Sequence, residues 1–284
     1  MAVMDSAGMG SVELVDYQHE IEQWRKERED ALRAPDGWLS LAGLHMLEAG
    51  DYTLGSDAGK QIVLPPSVPA TLGTLSFDGD RALLQVVADA PVLVGGVPVS
   101  TVELVDNRNG RVPTLVRVGS VSMNLHRFGE EIALRVRDST SVGIQNFTGC
   151  KWYPIDPAYR IVGQLTRTAS PTVIQVATSV KSVAEYQSIG TITFALQGQS
   201  LTLLGAATSK ASEIMIIFRD GTTGRTTYGA GRYLYAQVED DQVVLDFNKA
   251  YSPPCAFTPY ATCSLPPAQN HLPVPIEAGE LYSG

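Results

Sequence analysis

The sequence predicts a mainly β protein with one N-terminal helix, and three observations carry that expectation. Strand-length apolar pieces, separated by Gly, Pro and Asp-Gly, recur from about residue 48 to residue 250. Several of them alternate apolar and polar side chains, as in residues 191–196, which is the period of a sheet with one face in a core. Only residues 17–33 carry helix formers at helical spacing, and a hydrophobic content of 44% over 284 residues suffices for a substantial core.

In the helical stretch Ile21, Trp24, Ala31 and Leu32 fall near one face, and Pro35-Asp36-Gly37 stops it. Residues 1–47 thus read as an N-terminal extension with one amphipathic helix. The pieces DYTLG, QIVLP, GTLSF, RALLQVV, PVLVGG and STVELV follow, and Phe77-Asp78-Gly79-Asp80 signals a hairpin because Asp-Gly tolerates the positive φ of a primed turn. Residues 48–111 read as a small β-sandwich-like segment. From 112 to 284 strands recur about every ten residues, with a further turn at Asp220-Gly221, which suits a larger antiparallel β-barrel or sandwich. Residues 146–160 are irregular and aromatic. The segment AYSPPCAFTPYATCSLPP, residues 250–267, can be neither helix interior nor central strand, because its prolines lack backbone donors. Its Tyr251, Phe257 and Tyr260 mark it as a rigid, packed loop. Residues 269–284 read as an extended surface strap held by Leu272, Val274 and Ile276.

Composition excludes several functions. With 21 basic and 30 acidic residues, a net charge of −9 and no Lys/Arg-rich run, there is no electrostatic footing for nucleic acid or for an anionic membrane surface. No apolar run approaches the roughly 20 residues of a membrane helix, and the first residues lack the basic and apolar regions of a secretory signal. Cys150, Cys255 and Cys263 are too few, and odd in number, for a disulfide framework. A cytoplasmic, reducing setting is therefore expected. The thiols are expected to be reduced and unreactive, because no Lys, Arg or His lies between residues 250 and 263 to stabilise a thiolate. Oligomeric state has no sequence signal.

FTGCKWYPIDPAYR (147–160), DGTTGRTTYGAGRYL (220–234) and LDFNKAYSPPCAFTPYATCSLPPAQNHLPVPIEAGE (245–280) closely resemble segments of a bacterial family catalogued as domain of unknown function 1684. Residues 24–57 look like that family's N-terminal segment. The resemblance implies a β-rich architecture and a shared polar region, with no activity attached. The family has a basic residue where this chain has His271, which argues against a catalytic role there. Residues 54–99 look, in rhythm, like the forkhead-associated β-sandwich. That fold reads phosphothreonine through an Arg after its first Gly and a Ser-x-x-His loop. Here Ser56 follows Gly55 and the stretch holds no Ser-x-x-His, so phosphopeptide binding is unsupported.

Four constellations bear on chemistry. Cys255 and Cys263 are open to packing, a disulfide or redox pair, a nucleophile, or a metal site completed from elsewhere, although the four histidines form no metal-spaced pair and no metal is expected. Asp246 lies where a strand enters the proline loop, and Asp156 sits between Ile155 and Pro157; with Cys255 they are the catalytic candidates, against simple capping or pairing roles. Gly229-Ala230-Gly231 fits neither phosphate-loop pattern and reads as a tight turn that presents Tyr228 and Arg232. Trp152, Tyr153, Arg160, Tyr228, Arg232, Asn248, Tyr251 and Tyr260, with Tyr159 and Tyr233, would suit a small polar ligand if gathered around one cavity, or would form a barrel core. No cofactor motif is present. The expected function is binding of a small polar molecule in the C-terminal β domain. The first alternative is a hydrolase or lyase using an Asp/Glu pair or Cys255, and the second a structural or interaction protein. The site is expected where segments 147–160, 220–234 and 245–263 converge. If those loops only plug a barrel, Asp246 and Arg232 would pair to satisfy buried charge.

Overall fold

A computed structural model describes residues 11–178 and 183–282, with the side chains of Ser11 and Pro171 left undefined. The chain divides into two compact units: residues 31–147 with 257–261, and residues 1–30 with 148–256 and 262–284. The helix α1, Ser11–Arg33, starts six residues before the predicted stretch, since SVELVD continues its helix formers. It ends at the turn in which Gly37 N donates to Ala34 O at 2.8 Å.

The first unit contains β1 (Leu41–Met46), β2 (Gly50–Gly55), β3 (Ile62–Val63), β4 (Gly73–Phe77), β5 (Ala82–Val86), β6 (Leu93–Val94), β7 (Val97–Pro98), β8 (Thr101–Leu104), β9 (Val116–Val118), β10 (Val121–Phe128), β11 (Glu131–Asp138) and the short helix α2 (Val142–Asn146). Its strands form a sheet of order β1-β11-β10-β9-β6-β7 and another of order β3-β2-β4-β5-β8. Leu54, Leu75 and Leu84 from one sheet and Val116, Met123, Leu125 and Leu134 from the other share a single core. The Asp-Gly hairpin joins β4 to β5, with Gly79 at φ 103° and Asp78 Oδ1 accepting from Asp80 N and Arg81 N. The unit runs past the expected boundary at residue 111, because β9 to β11 belong to the same sheet as β1. Alternation marks one face of a strand as buried; it does not say which sheet the strand joins.

The second unit holds β12 (Lys151–Trp152), β13 (Arg160–Ala177), β14 (Val183–Leu196), β15 (Gln199–Ala207), β16 (Glu213–Phe218), β17 (Arg232–Glu239), β18 (Gln242–Asp246) and β19 (Glu280–Leu281). Strands β13 to β18 form a closed antiparallel barrel that seals where Arg160 pairs with Asp246. RIVGQLTR and TVIQVATS, two pieces in the sequence, are one strand, β13, whose register shifts between Arg167 and Thr172. Leu165, Ile192, Phe194, Ile216, Phe218, Leu234, Leu245 and Phe247 fill the interior. The C-terminal strap does more than lie on the surface. Leu272, Val274, Ile276 and Ala278 join this core at every second position while the residues between them stay exposed. The strap runs along residues 219–221, with Leu272 N donating to Arg219 O at 2.8 Å and Gly221 N to Val274 O at 3.0 Å. Among the described residues no helix is long and apolar enough to cross a membrane.

Candidate functional site

The polar residues of the second unit fall into three groups. The first is a clamp on the strap. Arg232 and Asp220 are fully buried and paired at 3.3 Å. Arg232 also donates to the carbonyls of Ala278 and, at 2.9 Å, Ile276. Asp220 Oδ2 accepts from Ile276 N at 2.7 Å, and Thr222 and Thr223 donate their hydroxyls to the same carboxylate. Burial draws the Arg232 pKa down, and the Asp220 charge opposes that shift. The expected turn before Arg232 is present: Gly231 has φ 96°, and a Cβ there would lie 2.5 Å from Phe218 O. The pair that the plug reading calls for, Arg232 with Asp246, does not form; Asp220 is the partner, because its turn sits beside the strap carbonyls that Arg232 also holds.

Asp246 heads the second group. Its Oδ1 accepts from Tyr17 Oη at 2.9 Å and from Asn248 N at 3.2 Å. Burial pushes the Asp246 pKa up, while the Tyr17 hydrogen bond and the Lys249 charge pull it down. Asn248, fully buried, donates to Asp156 O at 2.8 Å and accepts from Asp156 N at 3.0 Å. The exposed Asp156 carboxylate itself caps the 157–159 turn by accepting from Ala158 N at 2.9 Å. Asp246 is thus engaged by Tyr17, and Asp156 by its own turn. Arg160 lies 6.0 Å from the Tyr17 ring.

α1 supplies this network and the aromatic packing beside it. Trp24 meets Trp152 edge-on at 5.7 Å and Tyr251 at 6.3 Å, with Arg25 over Trp152 and Arg28 over Tyr251. Arg28 pairs with the buried Glu280 at 3.0 Å and donates to Ser252 O. Tyr251 exchanges both backbone hydrogen bonds with Tyr233. Trp152 and Tyr251 are thus packing surfaces for the helix. The sequence reading missed Tyr17, Arg25, Arg28 and Glu280; the spacing of Tyr17, Ile21 and Trp24 on one helix face was the available signal.

The third group lies where the 226–228 turn meets the proline loop. Tyr153 and Thr226 share a hydroxyl hydrogen bond of 2.6 Å, and the Tyr228 and Tyr282 rings meet edge-on at 4.8 Å. Tyr228 Oη donates to Cys255 O at 3.0 Å. Cys255 N donates to Cys263 Sγ at 3.1 Å, and neither cysteine is in a disulfide. The hydrogen bond from Cys263 lowers the Cys255 pKa to about 7; burial works against this, and Tyr228 adds to it. The same bond, with burial, pushes Cys263 upward. The sequence leads one to expect inert thiols for want of a neighbouring cation; the hydrogen bonds that lower the Cys255 pKa come from uncharged groups. Tyr260 lies in the 257–261 stretch, which belongs to the first unit, and its backbone N donates to Thr258 Oγ1 at 3.2 Å.

Residues 145–281 match the family model described as a protein of unknown function (DUF1684). The chain belongs to that family through these residues. It is also similar to an uncharacterised protein of Haloarcula marismortui known from a solution NMR structure, with 34% identity over 48% of this chain and 78% of that one and a TM-score of 0.42. A further likeness is to a chain from the crystal structure of the FhaA FHA domain complexed with the intracellular domain of Rv3910, at 21% identity over 33% of this chain and 97% of that one, TM-score 0.24. No curated protein matches the chain.

The family segment thus spans the barrel, the clamp and the thiol pair, and leaves out α1. Its three quoted stretches do touch: 147–160 meets 245–263 through Asp156 and Asn248, and 220–234 meets the others through Tyr153–Thr226 and Tyr228–Cys255. Two open hollows are lined by other residues. One, of about 390 Å³, is lined by Thr168, Gln175, Ser188 and Gln269 among others, and the other, in the first unit, by residues around Arg81 and Glu103. Among the described residues no cluster of three or more His, Cys, Asp or Glu could hold a metal.

Proposed function

We propose that the C-terminal β unit binds a small polar molecule at the corner of Tyr228, Cys255 and Tyr282, and that Cys255 is the group that engages it. The carrying observation is the half-buried Cys255 thiol, drawn down to about 7 by its neutral neighbours in a loop stiffened by Pro253 and Pro254. The clamp and the Asp246 network direct their polar atoms inward, so their removal would damage the fold before it touched a ligand. Of the enzymatic alternatives, the geometry favours thiolate attack by Cys255 on an electrophilic carbon over chemistry by an Asp/Glu pair. A reducing, cytoplasmic setting accords with free thiols, and a net charge of −9 accords with a small-molecule partner in place of nucleic acid or anionic membrane. The test is iodoacetamide labelling of the full chain at pH 7, read peptide by peptide. Cys255 is expected to react roughly tenfold faster in the native protein than after unfolding in urea, from the ratio of thiolate fractions. Equal or slower native labelling would reject this reading.

A further inference from the structure

Cys263 is buried, faces the same corner, and has no part in engaging a ligand as described so far. Its sulfur is fixed from two sides: Cys255 N donates to it at 3.1 Å, and the two thiols hydrogen-bond to each other. The loop around the pair is held by Tyr228 on Cys255 O and by Tyr233 on Ser264 O at 2.8 Å, so both ends of the eight-residue interval are anchored to the barrel. Cys255 is the more accessible sulfur and Cys263 the more enclosed. That is the arrangement of an attacking thiol with a resolving thiol behind it.

We propose that Cys255 and Cys263 form a reversible dithiol–disulfide couple, in which Cys255 attacks a low-molecular-weight disulfide and Cys263 resolves the product. This rests on the reading of Cys255 as the engaging group. In the first step the Cys255 thiolate attacks one sulfur of RSSR, the S–S bond of RSSR breaks, and RS⁻ leaves with the electron pair. Cys255 then carries a mixed disulfide, Cys255-S-S-R. Cys263 gives up its proton to the departing thiolate or to water and attacks the Cys255 sulfur, expelling a second RS⁻. Overall the protein dithiol loses two electrons and two protons, and RSSR becomes two RSH. The reverse reaction with a dithiol reductant restores both thiols.

The fate of the corner follows from the same bonds. A Cys255–Cys263 disulfide replaces the thiol–thiol hydrogen bond and removes the thiolate, so the oxidised protein loses the group proposed to engage the ligand. Oxidation would act as an off state and reduction as an on state.

The test treats the reduced full chain with glutathione disulfide and follows intact mass and peptide maps. The wild type is expected to lose two hydrogen masses, to retain no glutathione, and to yield a 255–263 peptide closed on itself that dithiothreitol reopens. Cys263→Ser should stop at the mixed disulfide and keep glutathione on Cys255, with circular dichroism confirming the native fold. Cys255→Ser should acquire neither modification. A wild type that keeps a stable glutathione adduct on Cys255 would overturn the resolving role of Cys263 while leaving the reactive Cys255 standing. A wild type and a Cys263→Ser protein that both stay unmodified at Cys255 would overturn the underlying reading as well. Because the wild-type mass decides the main question, a variant that fails to fold leaves the test intact.

Discussion

At the scale of single residues, burial and saturation separate structural groups from chemical ones. Arg232 makes three kinds of contact, all within the protein and all buried, so Arg232→Ala leaves the Asp220 charge without its counterion. A loss of about 3–5 kcal/mol is expected, read from denaturant melts. Tyr260→Phe removes a hydroxyl from a residue 36% exposed, and its effect should stay within about 0.5 kcal/mol. Gly279, at φ 81°, packs so closely that a Cβ would lie 2.4 Å from Ala250 O, and Gly279→Ala should cost about 1–3 kcal/mol. In the first unit, burial first, and then the Arg135 and Arg137 charges, hold the His126 pKa down to about 4 from an ordinary 6.5. A depressed histidine favours folding above its unfolded pKa, and that contribution is lost as pH falls from 6.5 towards 4. Thermal melts across this window should show stability falling with acid, and His126→Leu should flatten the dependence.

At the scale of elements, the helix, the hairpin and most barrel strands were legible because each follows from a local period or a turn residue. The register of Thr191 to Leu196, the Asp78-Gly79 turn and the stop at Pro35 all lie within a few residues of their cause. What was not legible depends on contacts distant in sequence. Tyr17 reaches Asp246 across 229 residues, and nothing in either local sequence announces the other. Of the polar and aromatic candidates, Arg232 is held by the strap, Asn248 by a turn, and Trp152 and Tyr251 by α1. The strap was recognised by Leu272, Val274 and Ile276, but its depth became visible only when Asp220 and Arg232 were seen clasping it. The contact between Cys255 N and Cys263 Sγ has no sequence signal, because the eight-residue spacing does not say that the loop folds back on itself.

At the scale of the whole chain, the family segment 145–281 leaves out α1, which contributes Tyr17, Trp24 and Arg28 to the same unit. A fragment beginning at residue 145 leaves Glu280 buried without Arg28 and Asp246 without Tyr17. Such a fragment should melt earlier than the full chain or fail to fold, and circular dichroism decides it; an unchanged melting temperature would show that α1 adds nothing to the barrel. The central claim, that the chemistry of this unit resides in Cys255, is tested most directly by the pH dependence of its alkylation rate in the native full chain, resolved by peptide mass spectrometry. The account predicts a midpoint at about 7, moved upward in Cys263→Ala, whose methyl group removes the largest stabilising hydrogen bond. A midpoint at the ordinary thiol value of about 8.5, indifferent to Cys263, would contradict it.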